Sequence, residues 1–425
     1  MVLADNQVQK ERFAAFIQAM PPALKGKDSP MRYRWALSLV LLCGSGVTRV
    51  AAEDEPLPPL IYPPAVAKEI WAACKEGRMY GRIEGMAWFI KDAHTPPLIT
   101  FGSASDAIPG ALGQPGTSIA FGGDLDTKTH TGGQFTLGYW FNTDHSMGME
   151  ANYWFLNQRG VEYSAGSSGN VGALVISRPF FDPNSNIENA DPVALTGVQA
   201  GSTSVRFTDR LQGAEFNFLG DFVGEHWAHF NLIVGVRVFT MVEGLNMNTN
   251  TAALPLSTGI VDTFAESFRT RNQFVGGQIG ADSDMRFGDF EVDLRGTFAL
   301  GGNYETALID GLARHNDPAG AIAAPGGLFT QVTNIGHHER GSFTYFTEVG
   351  GSLAYWWTEY FSLRAGYRFF YINSVIRPGD QMDRTVSIQP VPPPSIPVGV
   401  GRPIFSFKES DFWAHGVNFG CELRF

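Results

Sequence analysis

From Met79 onward, apolar and polar residues alternate with a period of two. In Gly133–Phe141, Phe135, Leu137, Tyr139 and Phe141 share one face; Gln134, Thr136, Gly138 and Trp140 share the other. In Met147–Phe155, Met149, Ala151, Tyr153 and Phe155 oppose Gly148, Glu150, Asn152 and Trp154. Phe230, Leu232, Val234, Val236 and Val238 form a stripe against Asn231, Ile233, Gly235 and Arg237. Val292, Leu294, Phe298 and Leu300 oppose Glu291, Asp293, Arg295 and Thr297. Leu363, Ala365, Tyr367, Phe369 and Tyr371 oppose Ser362, Arg364, Gly366 and Arg368. A period of two is that of a β-strand. Apolar-out, polar-in segments of about ten residues are the signature of a transmembrane barrel. A soluble sandwich alternates as well.

The connections separate the two. Short turns fall at Asn142–Ser146, Asp221–His226, Arg286–Asp289 and Thr358–Tyr360. Long loops fall at Ala93–His130, Arg159–Thr203, Gly244–Phe268, Asn303–Arg340 and Ile376–Ser410. Short turns at one end and long loops at the other describe an outer-membrane barrel with its short turns in the periplasm. The predicted fold is therefore all-β, an antiparallel transmembrane β-barrel. Its strands are placed at 79–92, 131–141, 147–158, 204–220, 227–243, 269–285, 290–302, 341–357, 361–375 and 411–425. Weaker segments at Ser118–Gly122 and Val171–Ser177 leave twelve strands open, or hairpins within the loops.

The apolar faces dictate which charges point inward: Glu150, Arg237, Glu291, Asp293, Arg295, Glu348, Arg364 and Arg368. Lipid-facing positions are odd on both strands of the hairpin at Thr358–Tyr360, so its loop holds an odd number of residues. A three-residue loop pairs Trp357 with Phe361 and Gly350 with Arg368, and sets Glu348 diagonally from Arg368. These two are expected to join an ion network that narrows or closes the lumen, which at about ten strands is still crowded.

Composition agrees with this picture. Charged residues are 17%, against about 25% in soluble domains. The 33 Phe and 49 Gly are far from the composition of a disordered acidic tail. Net charge is −11, so no nucleic-acid partner is expected. Three cysteines make no disulfide framework. No run reaches the roughly 20 apolar residues of a membrane helix. Arg32 and Arg34 precede an apolar run, Trp35–Cys43, and small residues follow up to Ala51-Ala52. This reads as a signal peptide over 31–52, cleaved between Ala52 and Glu53, with 1–30 an upstream extension. Residues 53–78 are Pro-rich and read as a periplasmic linker ahead of the barrel at 79–425.

The last strand points Phe419, Cys421, Leu423 and Phe425 one way and Asn418, Gly420, Glu422 and Arg424 the other. An amphipathic final strand ending on an aromatic, with Phe419, Leu423 and Phe425 on its apolar face, resembles the signal read by the outer-membrane barrel assembly machinery. The expected partners are thus that machinery and outer-membrane lipid. Elsewhere, His337-His338-Glu339 lacks a second metal-binding His at helical spacing, and His226 and His229 lack further ligands. Asp124 and Asp126 lack the rest of a calcium ligand series. Asp262, Asp310, His315, Asp317, His337 and His338 occupy long loops with no spacing that selects a catalytic pair. No metal, cofactor or catalytic residue is assigned. Tyr139, Tyr153, Tyr355, Trp357, Tyr367 and Tyr371 are read as interfacial girdles.

Several stretches resemble one family. They are Pro96-Pro97-Leu98-Ile99-Thr100, Leu112–Thr117, Gly132–Trp140, Thr270-Arg271-Asn272-Gln273-Phe274, and the run from Leu363 through Asn373. Together, over about residues 79–425, they resemble the beta-barrel porin-7 family of outer-membrane proteins of planctomycete bacteria. The resemblance implies an outer-membrane barrel and offers no catalytic residues. The leading expectation is a non-enzymatic barrel, either a narrow porin-like channel or a structural, surface-displaying protein. The alternatives are an outer-membrane hydrolase acting through its long loops, and a secreted soluble β-rich binding protein.

Overall fold

A computed structural model describes residues 77–425 apart from 226–227 and 388–400. The chain divides into Met1–Tyr62 and Pro63–Phe425, and the described residues belong to the second unit. The expected extension, the signal peptide, the Ala52/Glu53 cleavage site, His226 and all but the end of the Pro-rich linker lie outside the described residues.

Ten strands form the wall: β1 (Met79–Ile90), β4 (His130–Trp140), β5 (Met147–Ser167), β8 (Gln199–Glu225), β9 (Ala228–Ala253), β10 (Val261–Phe287), β11 (Phe290–Asp317), β13 (Gly336–Thr358), β14 (Phe361–Ile376) and β15 (Glu409–Arg424). Each pairs antiparallel with its neighbours, and β1 pairs with β15 from Tyr80↔Arg424 to Ile90↔Ala414, closing the ring. Phe425 N–H donates to Met79 O at 2.8 Å and Met79 N–H to Phe425 O at 3.3 Å, sealing the seam at the terminal residue. These are the ten strands read from the alternation. The segments at Ser118–Gly122 and Val171–Ser177 do not widen the ring. They fall in or overlap β3 (Ser118–Leu125) and β6 (Val175–Asp182), which join β2 (Ala93–Gly102) and β7 (Ile187–Ala194) in a separate four-stranded sheet ordered β3-β2-β6-β7. A short β12 (Gly320–Pro325) folds back on the end of β11.

β8 to β11 run well past their expected ends, to 26–28 residues each. At about 3.4 Å per residue such strands are roughly 90 Å long, whereas a membrane crossing takes about 9–11 residues. The excess stands beyond the apolar belt on the long-loop side, and there the polarity of the wall inverts. On β9, Val234, Val236 and Val238 face outward and exposed, while Phe239, Met241, Leu245 and Met247 face inward and buried. On β8, Val205, Phe207 and Leu211 face inward, and Phe216 and Phe218 outward. The long-loop half is therefore built like a soluble protein: its outer face is polar and its interior is an apolar core. That core joins Leu98, Ile99, Phe121, Ile176, Phe180 and Val193 of the small sheet to Val205, Phe207, Leu245, Met247, Phe268 and Ile309 of the wall.

Several short turns are tighter than expected: β8 and β9 pair as far as Glu225↔Ala228, and β10 and β11 as far as Phe287↔Phe290. The hairpin between β13 and β14 pairs Thr358 with Phe361 across a two-residue turn, with a bulge between Trp356 and Thr358. The bulged Trp357 replaces the third loop residue, so the parity is preserved and Gly350 still faces Arg368.

Candidate functional site

The lumen is the place where side chains from most of the wall meet. Nearest the short turns lies a charged layer. Arg237 is its centre: Nη2 sits 2.8 Å from Glu215 Oε1 and Nη1 2.8 Å from Glu348 Oε2. Its Nε donates to Gln278 Oε1 at 2.9 Å and its Nη2 to Thr297 Oγ1 at 3.0 Å. The guanidinium carbon also lies 4.4 Å from the centre of the Phe346 ring. Arg295 holds Glu150 at 2.7 Å, and the second Glu150 oxygen accepts from Tyr80 Oη at 2.7 Å. Arg364 pairs with Glu422 at 2.6 Å, with Asp293 and with Glu291. Arg424 and Arg82 also converge on Glu422. A buried charge is tolerated only when paired and hydrogen-bonded, and these carboxylates and guanidiniums satisfy one another.

All eight residues assigned inward from the sequence lie in this layer. Their pairings differ in detail from the expected one. Arg368 and Glu348 come within 3.8 Å, but the closest partner of Glu348 is Arg237, and Arg368 donates to Gln134 Oε1 at 2.9 Å. Glu422 and Arg424, placed by the alternation opposite the apolar face of the last strand, join the layer, as do Tyr80, Arg82, Glu84, Glu215 and Asp282, which the alternation did not mark. On β1 the outward face is Gly81, Ile83, Gly85 and Ala87, too weakly apolar to mark Arg82 and Glu84 by contrast. The same parity rule applied to Glu215, between Ala214 and Phe216, would have found it. A cavity of about 40 Å³ remains among these groups, room for a few waters.

One step further along the strands the lumen is filled by rings: Trp88 (β1), Trp154 (β5), Phe239 (β9), Phe274 (β10), Phe346 (β13), Phe370 (β14) and Phe412 (β15). Phe370 and Phe346 stack with centroids 4.9 Å apart, and Trp88 and Trp154 at 6.0 Å. Glycines make room for the indoles. A Cβ at Gly213 would meet Trp154 at 2.6 Å, and one at Gly416 would meet Trp88 at 2.5 Å. The rings come from seven of the ten wall strands, so this layer draws on most of the wall.

Beyond the rings, the chain leaving β14 bends across the barrel. Asn272 clamps it like a backbone partner, donating to Ile376 O and accepting from Ile376 N–H, both at 2.8 Å. Arg377 then pairs with Glu243 at 2.6 Å and donates to Asp92 O at 2.6 Å. In the same region His130 Nε2 lies 2.7 Å from Asp209 Oδ1, both fully buried. The small sheet follows, tied to the wall by the buried Arg178–Glu266 pair; Glu266 also accepts from Phe329 N–H at 2.7 Å. Burial within this cap pushes the Asp191 carboxyl up to about 6, with Arg178 opposing and Glu266 reinforcing the shift.

Several of the other acidic and His residues form local contacts. His315 Nδ1 lies 2.6 Å from Asp262 Oδ1, and this hydrogen bond raises the imidazole above its ordinary value. His94 pairs with Asp124 at 2.9 Å, and Asp126 accepts from Lys128 N–H at 2.7 Å. His338 stacks on Phe405 at 3.8 Å, and His229 lies 3.4 Å from Asp221. The acidic trio Asp284, Glu291 and Asp293 has a spacing that suits a cation. Two of its members are already engaged by Arg364, and Glu291 also by Arg424.

Residues 80–425 match the family described as "Putative beta barrel porin-7". The chain belongs to this family. This porin-7 chain also matches solved barrels. With the outer-membrane protease OmpT of Escherichia coli it shares 11% identity at a TM-score of 0.40, covering 82% of this chain and 97% of that one. With a FadL homologue of Pseudomonas aeruginosa the values are 8% and 0.21, over 82% and 91%. With the CymD monoaromatic hydrocarbon channel they are 8% and 0.17, over 82% and 88%. No curated protein sequence matches the chain. Ring closure, the apolar belt and family membership together make this a porin-like barrel of the outer membrane.

Proposed function

We propose that this porin-7 chain is a structural barrel that presents its long-loop half at the cell surface, rather than an open channel or an enzyme. The observation that carries this reading is the seven-ring layer, packed to van der Waals contact across the lumen. Water and ions cross a barrel only through a wet path, and an apolar layer at native packing density offers none. On the long-loop side His94 and His315 are held in separate local pairs with Asp124 and Asp262, which favours a role without catalysis. The expected result with the purified mature chain in a planar bilayer is no steady conductance. A large, stable conductance of the unmodified protein would sink this reading.

Delivery follows the same reading. A signal peptide ending at Ala52 carries the chain across the inner membrane, and N-terminal sequencing of the natural protein should begin at Glu53. The final strand, with Phe419 exposed and Leu423 and Phe425 on its outward face, is the segment offered to the barrel assembly machinery. Deleting Phe425 should leave expression intact and lower the yield of the heat-modifiable, folded form in the outer membrane. Outer-membrane lipid covers the belt of Val234, Val236, Val275 and Ile279.

A further inference from the structure

The arginines of the lumen have carboxylate partners. Four of the arginines on the outside of the barrel that lack one lie close together: Arg206 and Arg210 on β8, and Arg269 and Arg271 on β10. All four are exposed, and among the described residues none makes an ion pair or hydrogen bond. Arg210 and Arg271 face the same β9 residue, Val242, from either side. Arg269 faces Gly244, and Arg206 faces Asn246. With strands about 4.8 Å apart and about 3.4 Å per residue, Arg210 and Arg271 stand roughly 10 Å apart and Arg269 and Arg271 roughly 7 Å. Val242 and Gly244 are short, so the guanidiniums surround a shallow floor. Like charges this close repel and disfavour the bare surface, whereas planar guanidinium forks match phosphate.

Their position along the strands is specific. They are the first charged outward residues beyond the exposed Val238 and Val275, on the long-loop side. On β13, β14 and β15 the outward residues near this boundary are aromatic: Tyr345, Tyr371 and Trp413. Snorkelling alone would give no reason for the arginines to gather on β8 and β10. Next to them the same outer face forms a concavity of about 620 Å³, lined by Ser204, Arg206, Asn246, Asn248 and Ser267. Its amides and hydroxyls suit sugar hydroxyls, and Glu162 opposite Arg206 and Asp310 opposite Ser267 add acceptors at its edge. Glu339 stands two strands from Arg271, opposite Thr306.

Three chemistries thus follow one another along one outward face: an apolar stripe, a cluster of free guanidiniums, and a pocket of amides, hydroxyls and carboxylates. We propose that this face of β8–β10 binds the phosphorylated sugar headgroup of an outer-leaflet glycolipid, its acyl chains on Val238 and Val275, its phosphate among Arg210, Arg269 and Arg271, and its sugar in the adjoining pocket. The inference rests on the outer-membrane reading.

Native mass spectrometry of the full mature chain in detergent tests it, with an acylated glucosamine disaccharide bisphosphate, its dephosphorylated counterpart, and inorganic phosphate as probes. The bisphosphate should be retained and the dephosphorylated lipid should not. Arg269→Gln/Arg271→Gln and Arg210→Gln should each weaken retention by roughly tenfold to a hundredfold, the scale of lost hydrogen bonds between charged groups. Arg314→Gln, an exposed arginine near the far end of β11, should change nothing. Unchanged heat-modifiability would show that the variants still fold. Equal retention of both lipids, undiminished binding by the variants, or inorganic phosphate binding as tightly as the lipid would each overturn the site. Fractionation of the wild type in cells is read separately: a soluble chain defeats the outer-membrane reading, whereas an inserted chain with no phosphate preference defeats the site alone.

Discussion

Phe370 touches five other rings: Trp88, Trp154, Phe239, Phe346 and Phe412, with centroids 4.9–6.0 Å away. It is fully buried. Phe370→Ala should cost about 3–5 kcal/mol, the transfer term plus an uncollapsed cavity. Phe370→Leu keeps most of the volume and should cost less. Urea denaturation in lipid vesicles reads both; equal stability of Phe370→Ala and wild type would mean that the ring layer is not packed as described. The residue was hidden from the alternation. Phe370 sits on the polar face of its strand, beside the outward Phe369 and Tyr371, so three successive aromatics erase the contrast that marks a face. Charged inward residues were legible because lipid excludes them from the other face. Inward aromatics were legible only where their neighbours kept the contrast, as at Trp154 beside Glu150 and Asn152, because either face accepts them.

At the scale of elements, the membrane belt was readable and the rest only in part. Inside the belt the outward face is apolar, and beyond it the apolar face turns inward, so the stripe changes phase where Val238 is followed by Phe239. A search for one continuous stripe stops at that change and cuts β8 to β11 short. The small sheet was harder still. Val175–Asp182 is buried at nearly every position, Arg178 included, so β6 shows no alternation. The phase change makes a prediction. Val236→Arg, within the belt, should destabilise the barrel by about 2–4 kcal/mol. Asn248→Arg, on the outward face of the same strand beyond the belt, should be nearly neutral. Equal effects would remove the belt from where we place it. The small sheet has its own pH response. The Asp191 carboxyl is raised from 3.8 to about 6, so its charge weighs against the folded cap above pH 6. That cost is relieved as pH falls from about 6 toward 4, and the cap should grow more resistant to proteolysis over this range. Asp191→Asn should give the resistant form at neutral pH and flatten the profile; a variant that still titrates would assign the effect elsewhere.

For the whole molecule, the ion layer, the ring layer, and the Asn272-clamped strap with the small sheet lie in series along one axis. Barriers in series add, so flow is limited by whichever remains closed. Shortening the loop that carries β2 and β3, replacing Pro96–Phe121 with a Gly-Ser linker, removes part of the cap and leaves the rings and charges in place. It should fold, because the ring closure involves neither strand, and it should remain electrically silent. Phe346→Ala/Phe370→Ala opens the ring layer but leaves Arg237 bridging Glu215 and Glu348 from three different strands. Arg237→Ala on its own removes the closest cation from two buried carboxylates, leaving Glu215 to Arg295 at 3.7 Å and Glu348 to Arg368 at 3.8 Å, and should cost up to about 3–5 kcal/mol without opening the rings. Steady single-channel events are therefore expected only when all three changes are combined, with Glu215→Gln and Glu348→Gln added to relieve the unpaired charges. If the loop replacement alone produced a wide, stable conductance, the small sheet would be the sole gate. The inner layers would then be wet, and the barrel would be a channel with a removable cap.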